Sequence, residues 1–254
     1  MKSSHLLSLC LILIYQNTSL AFINVEEVRN AKKEGTTREI TISISGKAGN
    51  TDTKDYLVES ILYTRNTQKE YLALIAYEYG ESQQIEDANN LNLHLRHSFA
   101  LSPHLFQEVY GQYQTNKFTR LSFRGLLGTG VRFPILSSEK LYFYLGAGAF
   151  YSSETLEERV GTTDDGTLEI GRGNFYIAAA RPIGERTLIS GSVYFQPNFR
   201  SVHDHRVHGQ TTFKFNVEKN FSLSLFYKVA HDNEPPELVK TTDSQYGTKL
   251  HYIF

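Results

Sequence analysis

Residues 119–133 alternate in period two for longer than an ordinary soluble strand lasts. One parity reads Leu121, Phe123, Gly125, Leu127, Thr129, Val131 and Phe133; the other reads Arg120, Ser122, Arg124, Leu126, Gly128, Gly130 and Arg132. Successive strand side chains point to opposite faces, so this stretch has one apolar face and one face carrying three arginines. Soluble strands usually run about five or six residues, whereas a tilted strand crossing a bilayer needs about nine to eleven. A sandwich core has no use for three arginines at one parity; a wet barrel lumen accepts them. The segment predicts a membrane-crossing strand with its apolar face to lipid.

The same rule places strands from Ile40 with Ile42 and Ile44, and over 55–64, 70–79, 90–100, 105–114, 141–151, 168–181, 186–195, 206–218, 221–230 and 244–254. In 206–218, Val207, Thr211, Phe213, Phe215 and Val217 oppose His208, Gln210, Thr212, Lys214, Asn216 and Glu218. With 119–133 the strands number twelve, and an even number puts both termini on one side. Connections 65–69, 101–104, 134–140, 182–185 and 219–220 are short, as periplasmic turns are. The alternate set, 46–54, 80–87, 152–167, 196–205 and 231–243, is longer, and only 115–118 is a tight outer hairpin. The fold class predicted is all-β: a transmembrane antiparallel up-and-down β-barrel of about twelve strands occupying 38–254.

The N-terminus fits export. Lys2 precedes the apolar run 6–14, and Ser19-Leu20-Ala21 offers small residues where a signal peptidase reads, so 1–21 is predicted to be a cleaved signal peptide and 22–37 a short periplasmic leader. The run is too short for a spanning helix. Cys10 lies inside the signal behind Leu9, which is not the small residue a lipoprotein signal needs, and no other cysteine follows. Without disulfides, an exported chain is held by burial or by a closed sheet. The 16 Tyr and 16 Phe with no Trp, the net charge of -1 and the mean hydropathy of -0.35 agree with a barrel, although a soluble sandwich shares them.

The chain ends on Tyr246-Gly247-Thr248-Lys249-Leu250-His251-Tyr252-Ile253-Phe254, with Tyr246, Leu250, Tyr252 and Phe254 on one face. Tyr246, Gly247, Leu250, Tyr252 and Phe254 resemble the C-terminal signal read by the outer-membrane barrel assembly machinery, which is the expected partner together with outer-membrane lipids. Several stretches in order also resemble the family of salt-induced outer-membrane proteins, catalogued as domain of unknown function 481. These are Ser45-Gly46 with Gly49-Asn50-Thr51-Asp52-Thr53, Tyr77-Glu78-Tyr79-Gly80, Leu95-Arg96-His97 and Tyr246-Gly247-Thr248-Lys249-Leu250. The resemblance spans about Ile40 to Phe254. It implies an outer-membrane barrel associated by name with salt stress, and no catalytic residues.

Site chemistry is sparse. By parity His94 points inward and His97 outward, and sequence alone aligns neither with a nucleophile and an orienting acid at one depth. The alternative of a lipid- or peptide-hydrolysing barrel enzyme therefore ranks below a non-enzymatic barrel. His203-Asp204-His205 with His208 offers metal-type donors, but at a loop junction where solvated polar residues are the plainer reading. Glycines 125, 128, 130, 146 and 148 sit within strands, where they relieve curvature or crowding. No cofactor is expected, and neither charge nor motif supports nucleic-acid binding. Outer segments carry Glu81, Glu86, Asp87, Glu154, Glu157, Glu158, Asp164, Asp165, Asp232, Glu234, Glu237 and Asp243, read as solvated loops or as ligands for divalent cations among anionic lipids. The residues assigned to the lumen are Arg96, Arg120, Arg124, Arg132, Arg172, Lys214, Lys228 and Lys249, against Glu59, Glu78, Glu108 and Glu218. That basic excess predicts an anion-favouring pore, unless the groups pair and plug it. The expected function is a narrow pore or a structural barrel.

Overall fold

The computed structural model describes residues 34–47, 53–138, 140–164 and 166–254. The signal segment 1–21 and residues 22–33 of the leader lie outside the described residues. Among the described residues twelve strands run in chain order: β1 (Gly35–Lys47), β2 (Thr53–Arg65), β3 (Lys69–Ser82), β4 (Ile85–Ser102), β5 (Leu105–Asn116) and β6 (Leu121–Ser138), followed by β7 (Leu141–Leu156), β8 (Gly166–Ile183), β9 (Thr187–Pro197), β10 (His205–Asn216), β11 (Phe221–Asp232) and β12 (Thr242–Ile253). Each strand pairs antiparallel with its chain neighbours, and β1 pairs with β12, closing the barrel. Closure leaves no open edge, which is the condition for a sheet in hydrocarbon.

The wall follows the alternation. Ile42, Val58, Leu62, Ile75, Leu95, Ile177, Val193, Leu225 and Leu250 project outward, and Leu127 keeps 75% of its surface exposed. That is a lipid-facing belt with aromatics toward its rims. At the rim near the termini, Tyr71 stacks on His97 at 4.4 Å between ring centroids, His97 on Phe99 at 5.6 Å, and Tyr252 lies between Phe221 and the final Phe254. The opposite parity turns inward and is buried.

Strands run further than their sequence pattern suggested. The leader's Gly35, Thr36 and Thr37 already belong to β1. The segment 80–87, expected to be an outer loop, is instead the end of β3, a two-residue turn and the start of β4. Gln83 and Gln84 both take positive φ, 51° and 64°, the backbone that a two-residue hairpin turn demands. β6 continues through Pro134, which a bulge between Pro134 and Leu136 accommodates. The remaining outer connections, 157–165, 198–204 and 233–241, are the long ones.

Strand glycines make room for lumen rings. A Cβ on Gly146 would fall on the Tyr176 ring and one on Gly128 on Tyr110, while Gly130 and Gly148 face each other across β6 and β7 so closely that each would meet the other's backbone.

Candidate functional site

The lumen is filled by three layers of charged side chains. In the first, β6 carries Arg132 inward, where its Nη2 donates to Glu70 Oε2 at 2.8 Å and its Nε to Glu108 Oε1 at 3.1 Å. Glu108 also accepts from Arg96 Nη1 at 3.5 Å, from the Tyr176 hydroxyl at 2.8 Å and from Ser98 Oγ at 3.3 Å. The Arg132 guanidinium lies over Phe106 and Tyr144, 4.6 and 5.2 Å from their centroids, and Arg96 lies over Tyr110. Arg132 is 1% exposed and Glu108 2%. One group thus links six successive strands, β3 to β8, along half of the ring, and charges so removed from water persist only because each has a partner.

Toward the long loops, Glu154 of β7 takes a two-pronged contact from Arg206 of β10, at 2.9 and 3.0 Å, and an ion pair from Arg124 at 3.2 Å. Arg206 Nε also donates to Asp232 at 2.7 Å, and Arg172 pairs with Asp204 at 2.7 Å. Above this layer Arg120 is buried, but it does not line the bore as its parity predicted. It stands in the turn before β6 at φ 58°, because Lys117–Thr119 form a 3-10 turn capped by the Asn116 side chain. Its guanidinium reaches into the outer loops, donating to Glu157 O, Asp164 Oδ1, Glu237 O and Thr162 Oγ1. Asp164 in turn accepts from the Glu237 N–H at 2.7 Å, so one arginine fastens loops 157–165 and 233–241 together. Burial pushes the Asp164 carboxyl up, but the Glu237 N–H and Arg120 outweigh it and hold the group below the ordinary carboxylate range.

Near the termini, the joint between β12 and β1 carries the third layer. Lys214 Nζ donates to Glu39 Oε1 at 3.1 Å and Lys249 Nζ to Glu59 Oε2 at 3.3 Å. His251 Nδ1 lies 2.8 Å from Glu39 Oε1 and 2.9 Å from Thr41 Oγ1, and its Nε2 lies 2.7 Å from Ser224 Oγ. Lys228 sits over the Phe226 ring, as does Lys249. Glu78 accepts from Gln245 on the outer side of the same wall.

Open space follows these layers. A cavity of about 110 Å³ lies at the outer mouth between Arg206, Asp232, Pro235 and Val239, and one of about 50 Å³ lies below it between His94, Gln112, Asn174 and His208. A vestibule of about 1100 Å³ opens at the end holding the termini, walled by Arg65, Arg186, Lys214 and Glu218. Arg132, Glu70 and Glu108 line none of the three.

Several expectations change. Glu218 is exposed in the turn after β10, since that strand stops at Asn216, and so is not a lumen carboxylate of a spanning strand. Glu154 and Asp232, read as loop acids, belong to strands and point inward, as do Glu39 and Glu70, and Asp204 is buried just before β10. Arg206 and Arg65 are added bases, and the five carboxylates offset most of the basic excess read from parity, which no longer argues for an anion-favouring field. Of the His203, Asp204, His205 and His208 donors, Asp204 is committed to Arg172, and His205 Nδ1 lies 2.9 Å from His203 O. Among the described residues no group of three His, Cys, Asp or Glu side chains has a metal-holding arrangement. Outer acids Glu86 and Asp164 face Lys117 and Arg120. His94 is buried in the lumen and His97 stacks outside.

A closed twelve-stranded antiparallel barrel with an apolar exterior and a charged interior defines an outer-membrane-type β-barrel. The chain belongs to the family described as Protein of unknown function, DUF481, which matches residues 40–254. No curated protein matches it. Among solved structures it is similar to the NanC porin, at 8% identity and TM-score 0.50, covering 86% of this chain and 98% of that one. It is also similar to the COG4313 outer membrane channel from Pseudomonas putida F1, at 8% identity and TM-score 0.53, covering 89% and 97%. At such identity the likeness is one of fold.

Proposed function

We propose that this chain is an outer-membrane barrel of the pore type whose resting state is sealed by its own ion pairs, with no enzymatic turnover required for that role. The observation that carries this reading is a pair of buried, bonded groups that together go round most of the ring: Arg132, Glu70, Glu108, Arg96 and Tyr176 over β3 to β8, and Lys214, Glu39, His251, Lys249 and Glu59 over β10 to β2. Twelve strands lie between the eight that side chains fill and the sixteen that leave an aqueous channel, so filling at this diameter takes long side chains that reach past their neighbours to strands up to three away. Arginine, glutamate and tyrosine are long enough. The lipid-facing belt fits outer-membrane lipids as its surroundings, and the C-terminal aromatic face fits delivery by the barrel assembly machinery. A sealing lattice buried from solvent is also screened little by bulk salt, which suits a barrel tied to salt or osmotic stress.

Planar-bilayer recording on refolded protein tests the seal. The expected result is no steady current at low voltage in either dilute or concentrated salt. Regular single-channel steps from the wild type would overturn it, and their reversal potential under a salt gradient would give the selectivity of the path.

A further inference from the structure

Ser224 Oγ, His251 Nε2, His251 Nδ1 and Glu39 Oε1 form a continuous line, with contacts of 2.7 and 2.8 Å. We propose that Ser224 is an activated nucleophile, with His251 as its base and Glu39 as the group that orients the imidazole, able to be acylated or phosphonylated by a small electrophile entering from the vestibule near the termini. This goes beyond the sealed-barrel reading and does not depend on it.

The geometry has the elements that serine acyl transfer needs. A carboxylate on Nδ1 fixes the tautomer that leaves Nε2 as an acceptor, and a hydroxyl within hydrogen-bond reach of that nitrogen can lose its proton as it attacks. Three successive strands around the ring supply the parts: Ser224 from β11, His251 from β12 and Glu39 from β1. The set is therefore assembled only by closing the barrel. Thr41, opposite His251 in the register, adds a second contact at Nδ1.

Positive charge for the developing oxyanion stands on both sides. Ser224 is directly opposite Lys214 on β10 and directly opposite Lys249 on β12, and side chains opposite each other on one face lie about 5 Å apart at Cβ. Fixed charge beside the attacked centre, away from water, is the strongest aid to such a step. Lys214 also walls the vestibule of about 1100 Å³, so the lysine that holds Glu39 forms part of the boundary between the open space and the triad. Ser224 itself is 2% exposed, which restricts the electrophile to a small one, such as a short-chain carboxylic ester.

With an ester, Ser224 Oγ bonds to the carbonyl carbon while its proton passes to His251 Nε2. The C–O bond to the alcohol then breaks, and the alcohol leaves with that proton. Water attacks the resulting acyl-serine, giving its proton to His251 and returning the carboxylic acid and free Ser224. With diisopropyl fluorophosphate the new bond is O–P, the P–F bond breaks and fluoride leaves, and the proton goes by way of His251 to solvent.

The probe is diisopropyl fluorophosphate, applied to refolded full-length protein and read by intact mass and peptide mapping. One adduct mapping to Ser224 is expected. Ser224→Ala should lose it, and His251→Gln should slow it by about a hundredfold or more, the usual share of a general base. Folding of both variants is checked by heat-modifiable gel mobility. If His251→Gln does not fold, heat-unfolded wild type replaces it, and labelling should vanish there because the three strands have separated. Folded wild type that stays unlabelled, or an adduct mapping elsewhere, would overturn the proposal.

Discussion

Without its guanidinium, Arg132 would leave Glu70 and Glu108 facing each other in a space with almost no water. Breaking a buried pair from one side typically costs about 3–5 kcal/mol, and the low end is expected here because Glu108 keeps Arg96 and Glu70 keeps Arg65 at 3.6 Å. Arg132→Ala should lower the unfolding free energy of the refolded barrel, read by urea titration with heat-modifiable mobility as the signal, by about that amount. Replacing the charges of the layer together by Arg132→Met, Arg96→Met, Glu70→Gln and Glu108→Gln should recover most of the loss, since no buried charge of that layer is then left alone. If the single change is neutral, the layer does not hold the barrel as drawn. Residue identity was readable at this scale where parity sufficed: Arg96, Arg124, Arg132, Arg172, Lys214, Lys228 and Lys249 are buried inward. Partners were not. Glu39 precedes the first isoleucine of the alternation, Glu154 sits where β7 continues past its regular pattern, and Arg206 lies inside the predicted strand 206–218 but ahead of the inward set that starts at His208. Nothing in a one-dimensional pattern aligns Ser224 with His251 and Glu39, since that needs the register of three strands.

Strands were legible as elements because a lipid face and a lumen face impose period two over many residues. Their ends were less so. Pro134 and Gly80 look like terminators in a sequence, yet a bulge lets each stay within its strand. Glycine inside β7 has a definite purpose: Gly146 leaves room for Tyr176, the hydroxyl donor to Glu108. Gly146→Ala should therefore destabilise by about 1–3 kcal/mol, the usual cost of overpacking, and adding Tyr176→Ala should remove most of that penalty in the same urea titration. Additive losses would show that the ring and the glycine are not matched. For β12, the exposed aromatics Tyr246, Tyr252 and Phe254 form an outward face, and the Phe254 N–H is tied to Arg38 O at 3.1 Å. Deleting Phe254 should lower the amount of folded protein in the outer membrane by gel mobility, if this face is what the assembly machinery reads. Unchanged amounts would count against that assignment.

Across the whole molecule the two ends differ: an open vestibule backed by paired side chains near the termini, and looped chain tied by Arg120 at the far mouth. Arg120 is the common fastener of the loops, held in a left-handed backbone conformation that its four acceptors compensate. Asp164 has its carboxyl held below the ordinary range, so its pair with Arg120 contributes fully above the usual carboxylate pKa of about 4 and is lost as pH falls through the lowered value. Pepsin cleavage in loops 157–165 and 233–241 should thus stay low through mildly acid conditions and rise only in stronger acid. Asp164→Asn should show elevated cleavage already in mild acid, and equal sensitivity of the two proteins would remove the fastener. Around the ring, β1 and β2 align over thirteen residue pairs, while β1 and β12 align over four. Every other joint links neighbours along the chain and can form as soon as both have been exported. The last joint must wait for residue 253 and then has the shortest ladder, so the time between export and closure is when two bare strand edges are open to wrong partners, and any chaperone for this chain has its task there.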